Sequence, residues 1–383
     1  MWKHIASNAL TLFILALVVI AGVIAWGQRQ YSGPGPLTVA ICVEVPRGSN
    51  MRTVSQSLLS NGAISNDSIF RLGADYAGKA GDLKAGSFVV PAGASMEEIV
   101  DIVTKGGAST CGTTIVYRIG VRESHIEVRE LDPATGNMVE LAEYVPGSGD
   151  VPAAYEDARA NADTRYQIAM AEGVTSWQVL EALKSADFLV QDTDVVPPEG
   201  SLAPEGYEVR QGEPVSELVT EMQNRQILAL DEAWKNRDAD LPFDTPQEAL
   251  ILASIIEKET GVAEERRQVA SVFVNRLKQG IRLQTDPTVI YGVTNGQGVL
   301  GRGLRQSELA RETPYNTYVI TGLPPTPIAN PGRASIEAAL NPADTNYLFF
   351  VADGTGGHAF AETLAEHNRN VAAWRAIEAE RND

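Results

Sequence analysis

Cysteine is nearly absent from this chain: Cys42 and Cys111 are the only two in 383 residues. That scarcity excludes a disulfide-dense scaffold and any zinc site built on several thiolates. Histidine is almost as rare. His4, His125, His358 and His367 stand at no spacing that would join them to the cysteines around a metal, so no metal and no cofactor are expected. The two cysteines read either as one disulfide of an oxidising compartment or as two small core residues, and both readings stay open. Basic residues are also in deficit, 31 Lys and Arg against 49 Asp and Glu, for a formal net charge of −18. Such a surface repels phosphate backbones and anionic lipid, which excludes nucleic acid as a partner. Long apolar runs are missing too, with one exception: Ala9 to Trp26, broken only by Thr11.

That run is about the length needed to span a bilayer. Lys3 precedes it, Gly27-Gln28-Arg29 ends it, and Trp2 and Trp26 stand at its two ends, as interfacial anchors would. No small-x-small cleavage site follows before Ser32-Gly33-Pro34-Gly35-Pro36. The expectation is a cytoplasmic stub at 1–8, an uncleaved single-pass anchor at 9–27, a Pro/Gly linker at 28–36 and an exported remainder.

Leu37 to Val45 reads as a strand. Pro46-Arg47-Gly48-Ser49 then opens an amphipathic helix carrying Val54, Leu58 and Leu59. Similar phrases recur at Pro91–Ser95, before Ile99, Val100 and Val103, and at Glu172–Thr175, before Val179, Leu180 and Leu183. In each a hydroxyl after a glycine turn is expected to cap the next helix. Within residues 111–164, Val116–Ile119 and His125–Leu131 alternate apolar and polar positions and Met138–Leu141 returns after a turn at Asp132–Gly136, which predicts a β-hairpin or small meander inserted as a surface extension, while Ala- and acid-rich Asp150–Asp163 reads as a solvated helix or linker. Val215 to Asn236 reads as an amphipathic helix with Leu218, Met222, Ile227, Leu230 and Trp234 inward. Glu264 to Lys278 reads as another, stopped by Gly280.

Between these two lies an almost wholly apolar helix, Ala249 to Ile256, closed by Glu257-Lys258-Glu259-Thr260. Thr245-Pro246-Gln247-Glu248 combines a capping box with proline at the first helical position, and Gly261 is the expected left-handed stop. Glu257 falls in the last turn, where the macrodipole disfavours a carboxylate, on a helix that should lose water by burial. Both effects keep a proton on a carboxyl group, which makes Glu257 a candidate general acid. The plain alternative is a solvated helix-end glutamate. Glu259, two residues on, points to nearly the opposite side and is expected at the surface or behind the site.

The stretch Ala253–Thr260 does not stand alone. Leu283–Gly292, Pro314–Tyr318, Gly322–Gly332, His358–Phe360 and Glu366–Asn368 follow it in order. Together they resemble the YceG-like endolytic murein transglycosylase family, over everything after about residue 165 and more loosely over 37–105. The resemblance implies an α+β fold: a transmembrane helix, LysM-like small α/β modules at 37–198 carrying the β-rich insert at 111–164, then a mixed α+β catalytic domain at 199–383. It implies a cell inner membrane protein with its catalytic part in the periplasm. Peptidoglycan glycan strands would be its substrate and the peptidoglycan synthases its neighbours.

The implied reaction breaks the MurNAc–GlcNAc β-1,4 bond inside nascent strands and leaves 1,6-anhydro-MurNAc ends, terminating their elongation. It needs one carboxyl group rather than the pair of a glycosidase, because the sugar's own 6-hydroxyl is the nucleophile. Glu257 would serve as acid and then base. Gln284, Thr285, Asp286 and Asn316 would bond sugar groups, while Tyr291, Tyr315 and Tyr318 would stack on pyranose faces, with core packing the ordinary alternative for each tyrosine. His358 and His367 read as structural. Thr313 and Ala361 stand where the family pattern has serine, and the lost hydroxyl at 361 weakens a catalytic role for that segment. Two rivals remain: a hydrolase in which Asp286 positions water, and a non-catalytic LysM-like wall-binding scaffold.

Overall fold

The computed structural model describes residues 2–105, 109–161 and 163–382. The chain divides into two compact units, one made of residues 1–115, 128–142 and 152–164 and the other of 116–127, 143–151 and 165–383.

The first unit begins with α1 (Trp2–Ser32), whose stretch Leu10–Ser32 has mean hydropathy 2.6, none of it buried. It is the one helix among the described residues long and apolar enough to cross a membrane. It continues through Ser32 into the expected linker, and Tyr31 packs on the unit's core. Next come β1 (Ile41–Val45), α2 (Met51–Ser60), α3 (Asp67–Tyr76), β2 (Gly86–Val90) and α4 (Met96–Thr104). Strands β1 and β2 pair antiparallel with Val43 opposite Phe88, and Val45, Leu58, Phe70, Val90 and Ile99 close the core beneath them. Ser95 caps α4 in a capping box with Glu98, as the sequence predicts, whereas the cap of α2 is Asn50, one residue after the expected Ser49.

Of the two readings for the cysteines, the structure realises the disulfide: Cys42 and Cys111 are bonded, 69 positions apart with Cα atoms 6.1 Å from each other. Chain-entropy arguments put the stabilisation from closing a loop of that size at about 4 kcal/mol. Replacing both cysteines with serine should therefore lower the urea midpoint of this unit markedly. An unmoved midpoint would mean the link does not restrict the unfolded chain.

The predicted meander is present as β3 (Thr113–Ile119), β4 (His125–Asp132) and β5 (Asn137–Tyr144), followed by α5 (Ala153–Ala160). It is not a mere surface extension. With β6 (Arg165–Met170) and β8 (Gly206–Val209) it makes a five-stranded sheet of order β5-β4-β3-β6-β8. Strands β6 and β8 are antiparallel, Tyr166 opposite Val209. Between them lie α6 (Ser176–Lys184), capped by Thr175 in a box with Gln178, and β7 (Leu189–Val190), which pairs in parallel with β9 (Glu213–Pro214).

Helix α7 (Val215–Lys235) buries Leu218 and Met222 as expected, but Ile227 is 55% exposed. Gln226 takes the inward place, its amide donating to the carbonyls of Gly200 and Pro331. A polar side chain with two interior acceptors displaces the apolar neighbour that a hydropathy pattern selects. Helix α8 (Pro246–Glu259) starts on the predicted capping box, and every residue from Ala249 to Ile256 is buried. It ends differently: Thr260 is extended at φ −138°, and Gly261 is not among the residues with positive φ.

A 3₁₀ turn (Ala263–Glu265) leads to α9 (Arg266–Lys278), stopped by Gly280 at φ +66°. After it come α10 (Asp286–Thr294), α11 (Gln306–Leu309), α12 (Arg333–Leu340), the antiparallel pair β10 (Phe349–Ala352) and β11 (His358–Ala361), and α13 (Leu364–Asn382). Leu252, Ile255 and Ile256 of α8 share one core with Val269 and Phe273 of α9 and Ile336 and Leu340 of α12. That packing fixes the C-terminal end of α8, where both glutamates sit.

Candidate active site

Glu257 and Glu259 leave the end of α8 on different sides, and each meets its own set of charges. Glu259 is half-buried, not a surface group, and its carboxylate accepts the Thr285 hydroxyl. Burial pushes its carboxyl up from the ordinary range and Asp286 adds to the shift, while the Thr285 hydrogen bond and His358 work against it. Asp286, the first residue of α10, is exposed and accepts the Tyr318 hydroxyl at 2.7 Å. Burial also raises the Tyr318 phenol, with Asp286 and Glu259 contributing, so it stays a hydrogen-bond donor.

The loop that delivers these groups is held under strain. Gln284 has φ +52°, a left-handed conformation uncommon outside glycine, and its side chain is exposed. Two interior ties hold that backbone. Its N–H donates to the Thr317 carbonyl, and the Thr285 N–H donates to the Thr317 hydroxyl. Buried Arg276 braces the same loop, its guanidinium donating to the carbonyls of Leu283 and Leu348. Sequence reasoning missed Arg276. The available signal was a cation among the buried residues of an otherwise apolar helix face.

On the other side, Glu257 accepts the Gly332 N–H at 3.0 Å. Glu172 fills the space a side chain at 332 would need, so two carboxylates flank one glycine. The Glu172 carboxyl is raised by burial and by Glu257, against the pull of Arg266. Lys258, lowered by burial, donates to the Gly173 carbonyl between Glu257 and Glu199. Glu199 is raised by burial as well, although it accepts the Ser176 N–H at 2.8 Å and the Tyr291 hydroxyl at 3.1 Å.

The predicted groove residues divide accordingly. Thr285, Asp286 and Tyr318 gather at Glu259, not at Glu257, and Gln284 precedes Thr285 in the same loop with its amide oxygen on Arg276. Tyr291 stands by Glu199, its ring 5.0 Å from that of Tyr315, whose hydroxyl is bonded to Thr326. Thr285 and Asn316 are interior: Thr285 is 2% exposed, and Asn316 is fully buried with its amide on the carbonyls of Glu308, Leu309 and Arg311. Ala361 is buried in β11, where a serine hydroxyl would need a partner.

Among the described residues one group of side chains could share a cation, His125 with Glu127 and Glu143, their ligating atoms within 4.8 Å of one another. Arg118 donates to the same Glu127 oxygen that faces His125, so a guanidinium already supplies the positive charge there.

Residues 146–373 match the YceG-like family across α8 and both carboxylate clusters. The chain belongs to the YceG-like family. It is similar to the endolytic murein transglycosylase of Bacillus subtilis (strain 168), 30% identical over 85% of this chain and 82% of that protein. It is also similar to the endolytic murein transglycosylase of Streptococcus pneumoniae serotype 2 (strain D39), 28% identical over 87% of this chain and 58% of the relative. The crystal structure of a YceG-like protein from Listeria monocytogenes aligns with 86% of this chain and 98% of its own, at 24% identity and a TM-score of 0.47.

Three raised carboxyls in one unit of a YceG-like protein have a consequence for stability. Glu172, Glu199 and Glu259 bind a proton more tightly folded than unfolded, so their contribution is full below the unfolded value and is lost as pH rises through the folded one. Thermal stability should increase as pH is lowered from 7 toward 5, and Glu199→Gln should flatten that slope. A slope unchanged in the variant would remove Glu199 from the account.

Proposed function

We propose that this chain is an endolytic peptidoglycan lytic transglycosylase, with Glu259 rather than Glu257 as the group that moves the proton. The names of its relatives support the class of enzyme. The observation that carries the choice of residue is the gathering of Thr285, Asp286 and Tyr318 at the Glu259 end of α8, around a carboxyl that burial keeps protonated more readily.

Protonated Glu259 gives its proton to the glycosidic oxygen as the bond to C1 of N-acetylmuramic acid breaks, and the N-acetylglucosamine leaves with its hydroxyl restored. The muramoyl 6-hydroxyl closes on C1, and its proton passes to the Glu259 carboxylate, so one residue is acid and then base. Intramolecular attack supplies the effective concentration that a second carboxylate would otherwise have to arrange through water. Exposed Gln284 and Asp286 bond the sugars, Tyr318 orients Asp286, and Tyr291 and Tyr315 shape the far wall. Thr285 and Asn316 act from the interior by holding the loops.

The remaining assignments belong to the same proposal. Helix α1 anchors the protein in the inner membrane with a cytoplasmic stub, and residues 199–383 work in the periplasm. The Cys42–Cys111 disulfide supports an oxidising compartment. The β-α-α-β arrangement of β1 to β2 serves as a LysM-like module that holds glycan, and the enzyme acts beside the synthases on nascent strands.

The test is digestion of membrane-bound nascent and mature peptidoglycan by the full chain in detergent, with products read by mass spectrometry. Internal fragments ending in anhydro-muramic acid are expected. Reducing ends would replace this reading with hydrolysis assisted by Asp286. Binding without any cleavage would replace it with the scaffold.

A further inference from the structure

Leu72 and Tyr76 of α3 stand in solvent, 71% and 96% exposed, although both are large and mostly apolar. Four positions apart, they form one stripe on the helix, and partly buried Ile69 extends it by a turn. The opposite side of α3 is core: Phe70 and Ala74 are fully buried. An apolar stripe left open on one helix face marks a surface that something else covers. The course of α1 indicates what.

Two adjacent residues near the end of α1 touch α3 at well-separated points. The Ser65 hydroxyl, just before the Asn66 cap, donates to Gln30 Oε1 at 3.3 Å. Eight positions on, a Cβ at Gly73 would overlap the Tyr31 ring, so bare glycine backbone lies against it. Gln30 and Tyr31 differ in height along α1 by only about 1.5 Å, while their contacts span roughly 12 Å of α3. Helix α3 therefore runs crosswise to α1, and parallel to a membrane that α1 crosses upright. At about 100° per residue, Phe70 and Ala74 lie on one side of the Gly73–Tyr31 contact and Leu72 and Tyr76 on the other. The core carries strands and turns whose backbone groups hydrocarbon could not satisfy, so it occupies the water side. The stripe then faces the bilayer. Its level fits as well: Gln30 is four residues beyond Trp26, about 6 Å, which is within the headgroup layer.

We propose that the Leu72–Tyr76 stripe is a membrane-surface contact, seated among lipid headgroups beside the point where α1 leaves the bilayer. It rests on the reading of α1 as a membrane anchor. A phenol with an apolar body and a polar tip suits that layer, and Leu72 adds apolar area to bury. Charge takes little part: Arg71, beside the stripe, is paired with Asp67 at 2.7 Å, and Asp75 is exposed next to it. Held by α1 alone, the first unit could still turn about the helix axis. The stripe gives it a second point of attachment and stops that rotation.

The experiment uses the full chain in phosphatidylcholine vesicles, with nitroxide labels on single introduced cysteines and the native Cys42–Cys111 bond intact. Ser68→Cys puts a label one turn before Leu72, at an exposed position that leaves the stripe in place. Leu17→Cys puts one in the middle of α1. Each label is read by its collisions with oxygen, which concentrates in lipid, and with a nickel chelate, which stays in water. At position 68 nickel collisions should be severalfold rarer with the stripe intact than in Leu72→Ser/Tyr76→Ser, with oxygen collisions moving the opposite way. Both substituted residues are exposed, so the variant keeps its fold. Equal nickel access at position 68 with and without the stripe, while the label at 17 lies in lipid, would overturn the contact. Shielding of position 68 from both reagents would overturn it as well, in favour of a protein partner on the stripe. A label at 17 open to nickel would instead defeat the anchoring reading on which the contact rests.

Discussion

Glu259→Gln is expected to reduce glycan cleavage about a thousandfold, within the range that a general acid–base group contributes. The substitution keeps the shape of the side chain and an oxygen for the Thr285 hydroxyl, so the fold should survive. Melting temperature near neutral pH should hold or rise, since the parent carries a carboxyl whose charged form burial disfavours. Glu257→Gln is the informative control. Its amide oxygen can still accept the Gly332 N–H, and it relieves repulsion with Glu172. Most of the activity should remain. The reverse result, an inactive Glu257→Gln beside an active Glu259→Gln, would move the reaction to the side of α8 that holds Glu172, Lys258 and Glu199.

Asn330→Ala should cost about 3 to 5 kcal/mol, the range for breaking a buried polar network. Asn330 is fully buried and bonded in every direction. Its amide nitrogen donates to the Val174 carbonyl, its amide oxygen accepts the Leu202 N–H, and its own backbone carbonyl accepts the Gly173 N–H. Truncation strands the Leu202 N–H in the interior and loosens the 172–176 turn against the loop before α12. Denaturant midpoints measured on the full chain decide it, and a loss below about 1 kcal/mol would show that water or a shifted side chain replaces the amide.

The start of α8 was legible because a capping box and a proline at N1 are local signals, read within four residues and independent of the rest of the fold. That Glu257 and Glu259 diverge was legible from helix geometry alone. Which of the two faces the gathered motif residues was not, because Thr285 lies 26 residues and His358 99 residues beyond Glu259. The helix-end argument that favoured Glu257 applies with more force to Glu259, the last helical residue. The buried stripe of α7 failed at one position, Ile227, for a related reason: Gln226 is interior only because Gly200 and Pro331 bring carbonyls to it. The left-handed stop expected at Gly261 failed because an extended Thr260 is an equally good way to leave a helix.

The continuity of α1 into the first unit sets how far that unit can stand from a bilayer. Six residues of helix separate Trp26 from Ser32, and at about 1.5 Å each they make a rod of roughly 9 Å. Tyr31 is clamped by the core, and the Gly35 N–H is bonded to the Gly93 carbonyl. A coil would let the module wander over a hemisphere and sample glycan at any height. On the proposed anchoring, a rod would hold this unit in one thin layer parallel to the membrane, so that any glycan it bound would lie close to the bilayer surface.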